Sequence, residues 1–136
     1  MTKLRFAAIA AAALLALPGL AHAELDIAAM KAHQTPASDT LQAAQICTAM
    51  SMAYAFMYSD SKDPKDKDNA DSYTVLTKLW LGIAAEKSGM SYDDYLDKQA
   101  IDDMKSLTQL QADDFDFYDA YCNKASREII EAAHKQ

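Results

Sequence analysis

The residues TLQAAQICTAMSMAYAFMYS, Thr40 to Ser59, decide the fold. They run without a charge through a chain that carries 20 acidic and 13 basic residues. At 3.6 residues per turn, Ala43, Ile46, Cys47, Met50, Tyr54, Met57 and Tyr58 share one face. Gln45, Ala49, Met52 and Phe56 form a second stripe across from it. A helix apolar nearly all round is buried on more than one side. This stretch is therefore expected as the first long helix of a bundle, about residues 39–58, with Ser38 and Asp39 supplying the cap. Gln42, Gln45, Thr48 and Ser51 interrupt it too often for a membrane span.

Toward the N-terminus, Leu25 to His33 has a weak helical pattern that stops before Pro36, which predicts a short helix or strap. Before it, Lys3 and Arg5 precede an Ala/Leu/Ile-rich core, and Ala21-His22-Ala23 ends in small residues. That is the three-part pattern of a secretory signal peptide over residues 1–23, cleaved before Glu24. The expected mature chain, residues 24–136, suits one domain. Lys3 and Arg5 leave with the leader while all 20 acids stay, so the charge moves from −7 to −9. Binding to nucleic acid rests on lysine and arginine neutralising phosphates, which argues against it here. An acidic surface suits a basic protein partner.

Toward the C-terminus, Asp60 to Asp71 reads as a charged connector. As a calcium loop it fails. With Asp66 and Asp68 at positions one and three, Asp71 stands where glycine is needed and Thr77 where the bidentate glutamate belongs. A second helix follows over about residues 71–88, with Tyr73, Leu76, Trp80, Ile83 and Lys87 in register and Gly89 suited to its left-handed stop. Ser91 and Asp94 then open a third helix, whose inner face reads Tyr92, Leu96, Ala100, Met104, Leu107 and Leu110. A fourth starts near Asp113 or Asp114 and turns Phe115, Tyr118, Cys122, Ala125, Ile129 and Ala132 inward. An unbroken helix over residues 92–134 would be about 65 Å long, so a break is expected near residues 111–113.

The fold expected is all-α: a four-helix up-down-up-down bundle with one inter-helix disulfide, Cys47 to Cys122. First and last helices are neighbours in such a bundle. The two cysteines then differ in height by only about 6 Å. An oxidising exported compartment favours the bond. Closing so long a loop stabilises the fold by roughly 4–5 kcal/mol in the chain-entropy account.

Catalytic chemistry finds little purchase. After the leader, the only histidines are His33 and His134, too few for a metal site without a cysteine cluster. Asp93/Asp94/Asp97, Asp102/Asp103 and Asp113/Asp114/Asp116/Asp119 are plentiful carboxylates, but they fall at helix starts or outward positions, where caps and solvated faces explain them. No enzyme activity, metal or cofactor is expected. Met30 and His134 resemble the Met/His haem ligands of cytochrome b562-type bundles, which leaves a small-ligand or haem carrier as one alternative. Methionine and aromatic residues are enriched in interface cores. Gln45, Ala49, Met52 and Phe56 are therefore the candidate partner-binding face, to be covered either by residues 25–33 or by another chain.

Two segments bring a family into view. Cys47-Thr-Ala-Met-Ser-Met-Ala-Tyr54 and Phe115-Asp-Phe-Tyr-Asp-Ala-Tyr-Cys122 resemble the corresponding features of small helical immunity proteins that guard against type VI-secreted cell-wall amidases. The resemblance covers about a quarter of the mature chain and carries over no inhibitory residue. It implies stoichiometric inhibition of a periplasmic toxin, often as a homodimer. Once the leader is cleaved, no membrane contact is expected. The other alternative is an acid-stress chaperone, similar to small disulfide-tied periplasmic holdases. Near pH 2 the carboxylates lose their charge, the mature chain reaches about +13, and the bundle could open toward client proteins.

Overall fold

The structure, a computed structural model, describes residues 23–136. The expected leader thus lies outside the described residues, Ala23 excepted. Every regular element among the described residues is helical, and no helix there is long and apolar enough to cross a membrane. The strap contains a short helix, α1 (Ile27–Lys31), capped by Asp26, whose carboxylate accepts from the Ala29 N–H at 3.0 Å. α2 (Leu41–Ser59) holds the charge-free stretch. Its cap is Thr40 rather than Ser38 or Asp39: the Thr40 hydroxyl accepts from the Ala43 N–H at 3.2 Å. Ser38 instead donates to Glu128.

α3 (Asp66–Ser88) starts five residues before the expected position. Ser61 and Asp63 build the turn that launches it: Ser61 Oγ donates to Asp66 at 2.6 Å, and the Asp63 carboxylate accepts from the Lys65 N–H at 2.9 Å. Asp66 and Asp68 then occupy the positive end of the helix dipole. Charged residues without apolar neighbours looked like a loop, yet a first turn tolerates them. Gly89 ends the helix at φ 67°, as its position implied.

The third expected helix is the one most altered. α4 (Tyr92–Tyr95), capped by Ser91, runs into a π-helical turn (Leu96–Ala100), then α5 (Ile101–Ser106) and a 3₁₀ turn (Leu107–Gln109). Its buried side chains are Tyr95, Gln99, Ala100, Asp103, Leu107 and Leu110, whereas Tyr92 is exposed and Met104 only half-buried. From Tyr95 to Leu107 the inward step is four residues, repeated. On a regular α-helix each such step overshoots by about 40°. The extra residue of the π turn absorbs that drift. Leu110 and Gln111 are extended, breaking the chain at the start of the expected 111–113 stretch, and α6 (Ala112–His134) follows. Its first turn is stabilised by Asp114, which accepts from the Gln111 N–H at 3.0 Å.

α2 is the hub, packing against α3, α5 and α6. Residues 43–44 and 46–51 are all buried, as the all-round apolar pattern required. Cys47 and Cys122 form the disulfide, with Cα atoms 5.4 Å apart. Cys47 pairs with Cys122 and Tyr54 with Phe115, so α2 and α6 are antiparallel. Tyr73 pairs with Asp119 and Trp80 with Ser126, so α3 runs parallel to α6. The polar atoms of this core are satisfied internally. Thr48 and Ser51 donate to the carbonyls of Ala44 and Cys47, each at 2.6 Å. Trp80 Nε1 donates to Ser126 Oγ at 2.8 Å, and Ser126 in turn donates to the Cys122 carbonyl.

Candidate functional site

The four residues of the expected partner face have separate fates. Gln45 reaches across to the start of the described chain and to Asp103. Ala49 is fully buried, and Met52 is half-buried against the core. Phe56 alone stands out, 70 % exposed. The strap does not cover it, because residues 23–36 lie instead beside Gln42, Gln45 and Ile46, around a cavity of about 330 Å³. Met57, expected in the core with Tyr54, is 56 % exposed. The strap lies beside Gln42, Gln45 and Ile46, about three turns from Phe56 along α2.

Around that end of α2 the tyrosines gather. Tyr54 and Tyr73 stack with ring centroids 4.9 Å apart, Tyr58 lies over Tyr73 at 5.6 Å, and Phe115 meets Tyr54 edge-on. Acids rim the cluster. Tyr73 donates its hydroxyl to Asp119 at 2.7 Å. Burial, with Asp119 and Asp116 nearby, pushes the Tyr54 hydroxyl up to about 12, and Tyr73 is raised too, by burial and by its bond to Asp119. Both phenols stay protonated at neutral pH, so they serve as donors and apolar faces rather than nucleophiles. Stacked aromatic faces beside carboxylates suit a cationic, partly apolar surface.

The aromatic run Phe115 to Cys122 has a structural explanation. Phe117 stacks on His33 at 4.2 Å, Tyr118 donates to the Gln34 carbonyl at 2.5 Å, and Tyr121 to the Pro36 carbonyl at 2.6 Å. These contacts stitch the strap to α6. His33 sits at φ 53° and places Nε2 2.8 Å from Asp114 Oδ1. The Gln111 N–H and His33 hold the Asp114 carboxyl below the usual range. His33, Asp113 and Asp114 bring ligand atoms within 4.8 Å of one another, but Asp114 already serves the Gln111 N–H and His33. This pairing was hidden in the sequence by its separation of 81 residues. Met30 is buried within the strap, whereas His134 ends α6 some 20 residues, about 30 Å, beyond Asp114. The pair cannot grip one haem.

Asp103 departs furthest from its reading as part of a solvated face. It is 3 % exposed, and burial pushes its carboxyl up to about 6 against the pull of Gln99, Gln45 and the Leu25 N–H. The π turn, invisible in a single sequence, is what rotates it inward. Searches against protein-family models, curated proteins and solved structures find no match to this chain, so its site is read from its own geometry.

Proposed function

We propose that this chain is a non-catalytic protein-binding module of the periplasm that docks a basic partner through the free end of α2. One observation carries the reading: Phe56 and Met57 are 70 % and 56 % exposed beside a tyrosine cluster rimmed by Asp116 and Asp119. Burying an aromatic anchor in a partner's pocket supplies affinity, and the acidic rim supplies speed and register. Within the same proposal the long segments run up-down-up-down around α2, and the disulfide keeps the scaffold rigid enough to present the end without rearrangement. Cys47 and Cys122, paired with each other, offer no nucleophile.

The partner class proposed is a secreted cell-wall amidase, which makes the chain an immunity-type inhibitor, acting as a monomer or a homodimer. The test titrates the purified chain into the peptidoglycan-cleaving activity of an amidase encoded beside it. Stoichiometric inhibition is expected, weakening at high salt. Phe56→Asp should relieve inhibition by about 30-fold or more, the loss of a hot-spot residue. Full amidase activity at a tenfold excess of the wild-type chain defeats the reading.

A further inference from the structure

Asp103 is 3 % exposed. Among the described residues no lysine, arginine or histidine forms an ion pair with it. Gln99 Nε2 lies 3.1 Å from both carboxylate oxygens, and Gln45 Nε2 3.1 Å from one of them. The Leu25 N–H also faces the group, as do Asp102 and Tyr95, neither of them positive. A carboxylate taken out of water without a counter-charge is costly.

The same two amides hold a second acceptor. Gln45 and Gln99 donate to the Ala23 carbonyl at 2.7 and 2.8 Å. Ala23 O and the Asp103 carboxylate therefore lie within about 6 Å of one another across Gln99 Nε2. The nitrogen of Glu24 is bonded to that Ala23 carbonyl carbon, so it shares the space. Ala23–Glu24 is also the bond that the small-x-small pattern marks for cleavage.

We propose that Asp103 is the receptor for the chain's own processed N-terminus, with the α-ammonium of Glu24 supplying the missing cation. The inference rests on leader cleavage and is independent of the partner-binding reading. The chemistry is a hydrolysis by a leader-cleaving endopeptidase. The Ala23–Glu24 C–N bond breaks, and water gives its hydroxyl to the departing Ala23 carboxyl group. Glu24 keeps its nitrogen and gains protons from water and solvent to become –NH₃⁺. With Ala23 O gone, Gln45 and Gln99 can turn their amides and offer oxygens to the new donor. An ammonium has three hydrogens to place, and one carboxylate with two amide oxygens matches that number. Processing thus converts an uncompensated buried charge into a hydrogen-bonded ion pair.

The first measurement is the intact mass of the exported protein. A start at Glu24 is expected, and any other N-terminus overturns both the cleavage reading and this proposal. The second uses the mature chain from Glu24 and follows acylation of its α-amine at neutral pH. Each unit by which the pairing raises the ammonium pKa cuts the reactive fraction tenfold, so wild type should react at least about tenfold slower than Asp103→Asn. In the same chain the Asp103 carboxyl carbon should titrate in the range of a paired aspartate. Acetylating Glu24, which leaves Asp103 intact, should return that titration toward the unpaired value. This arm keeps the test decisive if Asp103→Asn folds poorly. Equal acylation rates, or an Asp103 titration that acetylation does not move, would sink the proposal.

Discussion

The two ends of α2 share a composition and differ in what surrounds them. From Ala43 to Ser51 the helix is enclosed by α3, α5, α6 and the strap, and its hydroxyls turn back on its own carbonyls. From Ala55 to Ser59 it is covered on one side only, where Tyr58 stacks on Tyr73 of α3, and Phe56 and Met57 stand in solvent on the other. Apolar residues fill both ends, so hydrophobicity does not separate them; coverage does. The exposed end of α6, from Glu131 onward, carries no apolar side chain larger than alanine, whereas the end of α2 carries Phe56 and Met57. Keeping Phe56 and Met57 in solvent makes sense if a partner supplies the missing cover.

The largest expected effect lies at the enclosed end. Replacing Cys47 and Cys122 together by serine should lower unfolding free energy by roughly 4–5 kcal/mol in denaturant titrations, and thiol titration of the unreduced protein should find no free thiol. Loss of partner binding without loss of stability in that variant would break the division between the two ends.

Next comes pH, through two aspartates of opposite sign. While Ala23 stays in peptide linkage, folded Asp103 keeps its proton to about pH 6, whereas an unfolded aspartate releases it near 4. The folded chain then binds more protons between those values, so stability falls as pH rises from about 4 to 6, by on the order of 2–3 kcal/mol. Asp114 is depressed by the Gln111 N–H and His33. Its contribution is present above the usual aspartate range and disappears as pH falls through its folded value. Denaturant midpoints across pH 3–7 should show the first slope vanish in Asp103→Asn and the second in Asp114→Asn.

Smaller still is the contrast within the stripe first taken as one face. Ala49→Leu should cost about 1–3 kcal/mol by overpacking. Phe56→Asp should change stability by no more than about 0.5 kcal/mol while leaving circular dichroism intact. Equal costs at both positions would mean that Phe56 is enclosed after all.

The all-helical character, the Gly89 stop, the break before α6 and the disulfide were legible because each rests on local pattern or on a count of two cysteines. Three features were not. The start of α3 at Asp66 depends on Ser61 and Asp63 making a turn, while the residues themselves look like solvent-loving linker. The register of residues 92–110 was misread because a π turn shifts faces without a distinctive residue. Tyr118 could be placed on the inner side of α6, but neither it nor Tyr121 could be read as a donor to strap carbonyls more than 80 residues away. Of the candidate partner face, only Phe56 is exposed, since a helix apolar all round does not say which side will be roofed.

The single tryptophan has an optical consequence. Trp80 donates to Ser126, which donates to the Cys122 carbonyl, so two hydrogen bonds link the chain's one indole to the backbone of a cysteine in its one disulfide. Cystine sulfur quenches excited indole by electron transfer at short range. Native protein should therefore fluoresce dimly, brightening when the bond is reduced or when α3 lifts from α6. The molecule carries its own lamp for watching the scaffold come apart, set away from the end where a partner would dock.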